Sequence, residues 1–126
     1  IPGTGKISAI TVRAHIDDIN RFKTYKKLSS YAGLVPWVYN SDEKVYYGNI
    51  TKHGPEELRT ALVQMVLGMI KCKKEKNNIM MVQYRNKKKY AGSGKAIIMT
   101  ARKFTKMIWS MLMNNEEYDP VKQFLY

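Results

Sequence analysis

The stretch GLVPWVYNSDEKVYYGNITKHG, residues 33–54, separates two helical halves of the chain. It is a long segment without helical periodicity, whereas the segments on both sides show the apolar spacing of helices. Two short runs of β-branched and aromatic residues, Trp37 to Tyr39 and Val45 to Tyr47, flank a polar turn, which is typical of a β-hairpin. The sequence therefore predicts a mainly α-helical fold with a small β-hairpin over residues 37–51, and an exposed serine, Ser41, at its tip.

Five helices are predicted around this hairpin from apolar residues at helical spacing. They cover residues 6–16, 24–31, 55–71, 78–88 and 95–113. The third is the most apolar and is expected at the centre of the core, whereas the last is expected to be mainly structural. The side chains expected to face the core from the first and fourth helices are Ile7, Ile10, Ala14, Ile79, Met81 and Val82.

The charge balance is strongly basic, with 22 Lys and Arg against 10 Asp and Glu and a net charge of +12 over 126 residues. This excess predicts binding to a polyanion. Nucleic acid is favoured over a membrane surface, because the cations are spread over many segments instead of one amphipathic helix. No apolar run approaches the roughly 18 residues of a membrane span, so we expect a soluble, intracellular protein.

The length predicts a single domain. Because the sequence begins with Ile1 instead of methionine, we expect this domain to be part of a longer protein.

Few residues are available for metal binding or catalysis. One cysteine, Cys72, and two histidines, His15 and His53, cannot form a zinc site, and no metal site is predicted. The glycine-containing segment 91–95 lacks the spacing of a phosphate-binding loop and is predicted to be a turn before the last helix. From the residues alone, Ser41 is either an ordinary turn serine or a nucleophile activated by His53.

Two segments are candidates for contact with nucleic-acid phosphates. At the first, free backbone N–H groups at a helix start favour an anion, as in the second half of a helix-hairpin-helix, with Gly3, Gly5 and Lys6 holding the backbone. A helix start without a ligand is the alternative. The second, Tyr84 to Tyr90, interleaves cations with tyrosines, which suits phosphate contact and base stacking, or is a solvated helix end. Its cations are Arg85, Lys87, Lys88 and Lys89.

A series of short motifs along nearly the whole chain resembles a known family. The motifs are Ile1-Pro2-Gly3-x-Gly5, Ile19-x-Arg21-Phe22, Tyr31-Ala32-Gly33-Leu34-Val35-Pro36, Ser41, Gly48-x-Ile50-x-Lys52-x-Gly54, Leu58-Arg59-x-Ala61-Leu62, Ala101-Arg102-Lys103 and Glu117-Tyr118-Asp119-Pro120. In order and spacing they resemble the C-terminal domain of the insertion-sequence 110/116/902 transposases.

The resemblance implies part of a DNA recombinase guided by a structured RNA. In that family an N-terminal RuvC-like domain with a DEDD carboxylate set holds Mg²⁺, and this C-terminal domain supplies a serine nucleophile, which here corresponds to Ser41. Lys44, Lys52 and His53 are then expected near the scissile phosphate, and Arg59 among the DNA-binding cations. The resemblance also implies a homo-oligomer, because the active site of the family is composed across protomers. It further implies a location in the prokaryotic cytoplasm with the nucleoid. This chain alone is expected to be inactive and to hold no cofactor.

Two positions depart from the family pattern. Family members usually have glycine after the serine, where this chain has Asp42 and Glu43, and commonly have Lys-Arg-Gly where it has Lys52-His53-Gly54. The alternative function is a non-catalytic nucleic-acid-binding module of the helix-hairpin-helix type that uses the same hairpin and basic surfaces.

Overall fold

The computed structural model describes residues 4–41, 44–72 and 79–119, with the backbone alone over residues 36–48. The helices in these ranges are α1 (Lys6–Ile16), α2 (Tyr25–Tyr31), α3 (Glu56–Lys71), α4 (Ile79–Ala91) and α5 (Ser93–Met113). A 3-10 turn, Ile19–Arg21, joins α1 to α2, and strands β1 (Pro36–Ser41) and β2 (Lys44–Ile50) lie between α2 and α3. The predicted mainly α-helical fold is confirmed. Within the described ranges, no helix is long and apolar enough to span a membrane.

Helix α5 is the hub of the core. It packs against α2, α3, α4 and the 3-10 turn, while α1 packs on α3. Phe104 and Met107 of α5 are fully buried, and Leu58, Leu62 and Val66 of α3 are buried with them. Burial of each large apolar side chain contributes on the order of 1.5–3 kcal/mol to stability. The core therefore lies between α3, the predicted central helix, and α5.

A buried hydroxyl pair fixes α2 against α5. Ser29 Oγ and Thr105 Oγ1 are 2.5 Å apart, and Thr105 Oγ1 donates to the carbonyl oxygen of Arg102 at 2.6 Å. Because a threonine hydroxyl has one proton, the Ser29 hydroxyl is the donor between the two side chains. Trp109 Nε1 donates to the carbonyl oxygen of Phe22 at 2.9 Å and ties the segment before α2 to the same helix.

The two strands are anchored to the end of α2 by a close backbone contact. The Lys52 N–H donates to the Gly33 carbonyl oxygen at 3.1 Å. Gly33 and Gly54 have φ angles of +74° and +83°, a region that favours glycine. A Cβ on Gly33 would overlap the backbone of His53, and one on Gly54 would overlap the carbonyl oxygen of Tyr31. Glycine is therefore required at both positions for the segment after β2 to lie against α2.

Strands β1 and β2 are antiparallel, with Ser41 opposite Lys44 and Pro36 opposite Ile50. A strand rises by about 3.3 Å per residue, so the six steps from Lys44 to Ile50 separate the Ser41 end from the anchored end by roughly 20 Å. The predicted turn residues 42 and 43 lie outside the described residues.

Helix α1 faces the core with a different side than predicted. Val12 and Ile16 are buried, whereas Ile7 and Ile10 are 82% and 60% exposed and Ala14 is also exposed. A helix turns by about 100° per residue, which places these two sets on opposite sides. The prediction that Ile7, Ile10 and Ala14 face inward is wrong, because α1 has two apolar stripes and spacing alone does not tell which one meets α3.

Helix α4 is also rotated relative to the prediction. Met80, Met81 and Tyr84 are buried, whereas Val82 is 38% exposed and Ile79 is half-buried. The inward direction of Met81 is confirmed, but that of Val82 is wrong. The methionines and the tyrosine are longer than valine and reach α5 from the side of α4 that packs on it.

Candidate nucleic-acid interface

A basic cleft opens between α2, the segment that follows β2, and the helices α4 and α5. Its volume is about 1360 Å³, which exceeds the roughly 300–1,000 Å³ of most small-molecule sites. Its cationic lining residues are Lys26, Lys52, Lys87, Lys95, Arg102, Lys103 and Lys106. No acidic residue is found among the lining side chains that the structure describes. The size and the uniform charge fit a polyanionic polymer.

The cleft has an apolar floor and a cationic rim. Ile98 and Met99 line the cleft with half-buried apolar side chains, and the fully buried Leu34 belongs to the core beneath them. Lys95 and Arg102, in contrast, are exposed. A ligand in the cleft therefore meets apolar surface below and positive charge along the edges.

The surroundings of two cleft lysines disfavour the charged form of their side chains. Burial lowers the pKa of Lys87, and the charge of Arg102 lowers it further. Burial also lowers the pKa of Lys103, with the charges of Lys106 and Lys87 adding to the effect. Like charges held together in a partly desolvated cleft are unfavourable in the free protein, and a bound phosphate offsets that cost.

One face of α5 supplies most of the rim. Lys95, Arg102, Lys103 and Lys106 are separated by seven, one and three residues, which is close to helical spacing and brings them to one side of the helix. Lys106 Nζ lies 5.0 Å from the centre of the Tyr25 ring on α2, a cation–π distance. Together with the Ser29–Thr105 pair, this contact holds the two walls of the cleft in register.

Sequence reasoning found only part of this cleft. Lys52 and Lys87 were predicted to bind nucleic acid and do line it. The cations that were missed are Lys26, Lys95, Arg102, Lys103 and Lys106. The available signal was the charge of α5, which has four cations and no acidic residue between Ser93 and Met113. Exposed helix faces usually mix both signs, so this face was unusual enough to be noticed.

The residues predicted around the scissile phosphate fall into two groups. Lys44 stands opposite Ser41 in the strand register. Lys52 and His53 follow the other end of β2, beside Gly33, roughly 20 Å away by strand rise. By backbone register Lys44 is the partner of Ser41, whereas Lys52 and His53 follow the opposite end of β2, and the pairing of His53 with Ser41 stays a prediction.

The predicted basic segment of α4 is divided between the cleft and the outer surface. Arg85, Lys88 and Lys89 are exposed and do not line the cleft. Tyr84 is only 5% exposed and belongs to the core, so the prediction that it stacks on a base is wrong, whereas Tyr90 is 73% exposed.

The remaining predicted residues lie away from the cleft lining. Gly5 is the N-cap of α1 and Lys6 is its exposed first residue, while Gly3 lies outside the described residues. Arg59 is half-buried on α3, and its Nη1 is buried without a hydrogen-bond partner in the described part of the chain. The helix-hairpin-helix assignment stays a prediction.

Replacement of Lys87 by methionine is expected to raise the thermal unfolding midpoint at pH 7 by about 3 °C while weakening polyanion binding. The variant removes a half-buried charge whose pKa is lowered by burial and by Arg102. The loss of folding stability caused by the Lys87 charge is fully present below the lowered pKa and decreases as the pH rises towards the ordinary value of 10.5. The difference in unfolding midpoint between variant and parent should therefore vanish near that pH. Differential scanning calorimetry over this pH range measures it. The exposed neighbour Lys88, replaced by methionine, is the control, and an equal gain there would contradict the interpretation.

The sequence is similar to insertion-sequence transposases. The sequence model of the Transposase IS116/IS110/IS902 family matches residues 1–80. The chain is 30% identical over 118 residues to the transposase for insertion sequence element IS1111A of Coxiella burnetii, covering 94% of this chain and 32% of that protein. It is 26% identical over 120 residues to the "Probable family 20 transposase" of Pseudomonas aeruginosa, covering 95% and 36%. The chain thus spans about a third of the length of these curated relatives. No solved structure matches it.

Proposed function

This chain belongs to the IS116/IS110/IS902 family of transposases, and from that premise we propose that it is the DNA-binding part of a transposase that contributes Ser41 as nucleophile to strand cleavage and exchange. DNA binding is proposed because the described lining of the cleft has seven cations and no acidic side chain. The role of Ser41 as nucleophile is proposed from the resemblance to the family, in which Ser41 corresponds to the family serine. RNA guidance and assembly with a second copy of the protein are proposed on the resemblance to the family.

The cleft is suited to the DNA backbone because its cations come from elements far apart in the sequence. Lys26 on α2, Lys52 after β2 and Lys95 on α5 converge on one opening. Such contacts to phosphates give affinity and orientation without reading the base sequence.

The chemistry proposed for Ser41 is a transesterification. Its Oγ attacks a phosphodiester phosphorus, an Oγ–P bond forms, one P–O bond to a sugar breaks, and the leaving sugar oxygen takes up a proton. The reaction is helped by positive charge at the phosphate and by a group that accepts the hydroxyl proton. Lys44 pairs with Ser41 in the strand register, and we propose that its charge offsets that of the phosphate.

The described residues do not fit a magnesium site. Nowhere in ranges 4–41, 44–72 and 79–119 do three or more His, Cys, Asp or Glu residues lie close enough together to hold a metal ion. Mg²⁺ prefers octahedral oxygen ligands, which are usually one or two carboxylates together with waters and phosphate oxygens. We therefore propose that the magnesium of the reaction is held by a RuvC-like carboxylate domain and not by this part of the chain.

Replacement of both Lys95 and Arg102 by glutamine is expected to weaken DNA binding and to make it less dependent on salt. Each lost phosphate contact lowers the slope of log K against log salt by about 0.7–0.9, so two contacts lower it by about 1.4–1.8. Fluorescence anisotropy with labelled DNA, at salt concentrations from about 50 to about 300 mM, measures the slope.

The matched control is the double replacement of Lys23 and Lys71 by glutamine. Both side chains are exposed and lie outside the cleft lining, and the change in net charge is the same. An equal loss of slope in both double variants would show that net charge, and not the cleft, binds DNA.

A non-catalytic nucleic-acid-binding module is the second candidate, because the described lining of the cleft has seven cations without any contribution from Ser41. The cleft could bind nucleic acid without any reaction at Ser41. Replacement of Ser41 by alanine in a protein that carries the carboxylate domain separates the two: unchanged strand exchange would leave only the binding module.

A further inference from the structure

We propose that the cleft between α2, the segment after β2, and α4–α5 holds an unpaired polynucleotide strand, with its phosphates on the cationic rim and its bases against the apolar floor. The inference rests on the proposed nucleic-acid binding and adds the form of the ligand. That form is a strand without its complement, either DNA or RNA, and not a duplex.

The rim can follow a single backbone because its cations come from two sides. Lys26 and Lys52 belong to α2 and the segment after β2, whereas Lys95 and Arg102 belong to α5. A strand that runs between these sides has cations along both edges. The absence of acidic side chains from the described lining removes the repulsion that a phosphate would otherwise meet.

The floor distinguishes an unpaired strand from a duplex. Ile98 and Met99 line the cleft and are half-buried, so part of each apolar side chain is accessible to a ligand. Paired bases hide their faces in the stack of a duplex, so a duplex would leave this apolar surface uncovered. Unpaired bases expose apolar faces that can pack on it, and proteins that bind single strands join a basic groove to side chains that contact the bases.

The shape of the surface points the same way. Proteins that read duplex DNA insert a helix or a two-stranded ribbon into a groove of the duplex. In this chain, the seven cations of the described lining instead surround a concave cleft of about 1360 Å³. A concave site takes in its ligand, which is possible for a flexible strand and sterically unfavourable for a double helix.

The test compares the binding of the 126-residue chain to a labelled 12-nucleotide single strand, as DNA and as RNA, and to the DNA duplex of the same sequence at one salt concentration. We expect at least about tenfold tighter binding to one of the single strands than to the duplex. Tighter binding to the DNA strand assigns the ligand as DNA, and tighter binding to the RNA strand assigns it as RNA. Equal or tighter binding of the duplex would overturn the proposal, as would equally tight binding of a poly-glutamate peptide of the same charge.

A floor variant provides the second readout. Met99→Ser should weaken single-strand binding at least about threefold and leave duplex binding unchanged, because it removes apolar surface and no charge. Met113→Ser is the matched control, since Met113 lies on the same helix, is 41% exposed and is outside the cleft lining. An equal effect of Met99→Ser on single strand and duplex would contradict the placement of the bases.

The strand preference of the cleft and the role of Ser41 are tested by separate experiments, and either can fail without the other. Loss of the strand preference would overturn the unpaired-strand ligand while leaving DNA binding and Ser41 chemistry intact. Conversely, strand exchange that survives Ser41→Ala would remove the nucleophile while the strand preference of the cleft stands.

Discussion

Replacement of Gly54 by alanine is expected to lower the free energy of unfolding by about 2–5 kcal/mol. Two costs add at this position. The φ angle of +83° is unfavourable for any residue with a Cβ by about 1–2 kcal/mol. The new Cβ would also overlap the carbonyl oxygen of Tyr31, so the backbone has to shift, at a further cost of about 1–3 kcal/mol. Urea denaturation followed by circular dichroism at a helix wavelength measures the change.

Two other glycines separate these costs. Gly92 has nearly the same φ angle, +87°, but a Cβ there would meet nothing within 4 Å. Gly92→Ala should therefore cost only the backbone term, about 1–3 kcal/mol for a residue with a Cβ at φ +87° and ψ 165°. Gly94 lies inside α5 with open space around it, so Gly94→Ala should stabilise the helix by about 0.5–1 kcal/mol. If Gly54→Ala and Gly92→Ala had equal effects, the contact with Tyr31 would not be a tight one.

The Gly54 variant should also weaken nucleic-acid binding beyond what its lower stability explains. The segment from Lys52 to Gly54 lies against the end of α2, and Lys52 lines the cleft. A backbone that moves away from Tyr31 takes Lys52 with it. Binding measured well below the unfolding midpoint would show this loss, and Gly92→Ala should not share it.

The helices could be predicted from the sequence because apolar periodicity and capping are local. Thr24 is of a residue type that favours the N-cap position, and its side chain accepts from the Lys27 N–H at the start of α2. Gly33 follows the end of the same helix with a φ angle of +74°, a conformation that favours glycine. These signals depend on neighbours a few residues apart, which the sequence contains in full.

The orientation of the helices could not be predicted in the same way. Helix α1 has one apolar stripe with Ile7 and Ile10 and another with Val12 and Ile16, and only packing on α3 selects the second. Periodicity reports that an apolar face exists, and the partner helix decides which face is buried. The same reason accounts for the unexpected exposure of Val82.

The cleft was the least predictable feature because its residues are distant in the sequence. Lys26, Lys52 and Lys87 come from three separate elements and meet α5 only in the folded chain. Net charge predicts that a polyanion binds but not where. The face of α5 with four cations and no acidic residue was a local indication of a binding surface. The prediction that this helix is mainly structural did not include it.

Replacement of Ser41 by alanine is expected to reduce DNA strand cleavage and exchange by at least about 10³-fold, when tested in a protein that carries this chain together with the proposed carboxylate domain. The substitution removes the oxygen that would form the bond to phosphorus. DNA affinity should stay within about twofold, because the substitution removes no charge and the described cations of the cleft are unchanged. Ser93→Ala is the matched control, since Ser93 is exposed at the start of α5 and is not part of the cleft lining.

A covalent adduct makes the role of Ser41 directly visible. With a DNA substrate nicked beside the cleavage position, religation fails and the Oγ–P linkage should accumulate, so that a protein band shifts on a denaturing gel. Mass spectrometry of the digested band should place the nucleotide on the peptide with Ser41. Asp42 and Glu43 follow Ser41 directly in the sequence and add two negative charges next to the proposed nucleophile. Asp42→Gly, which restores the residue usual in the family, should therefore speed adduct formation. An adduct that still forms in Ser41→Ala would show that another residue attacks the DNA.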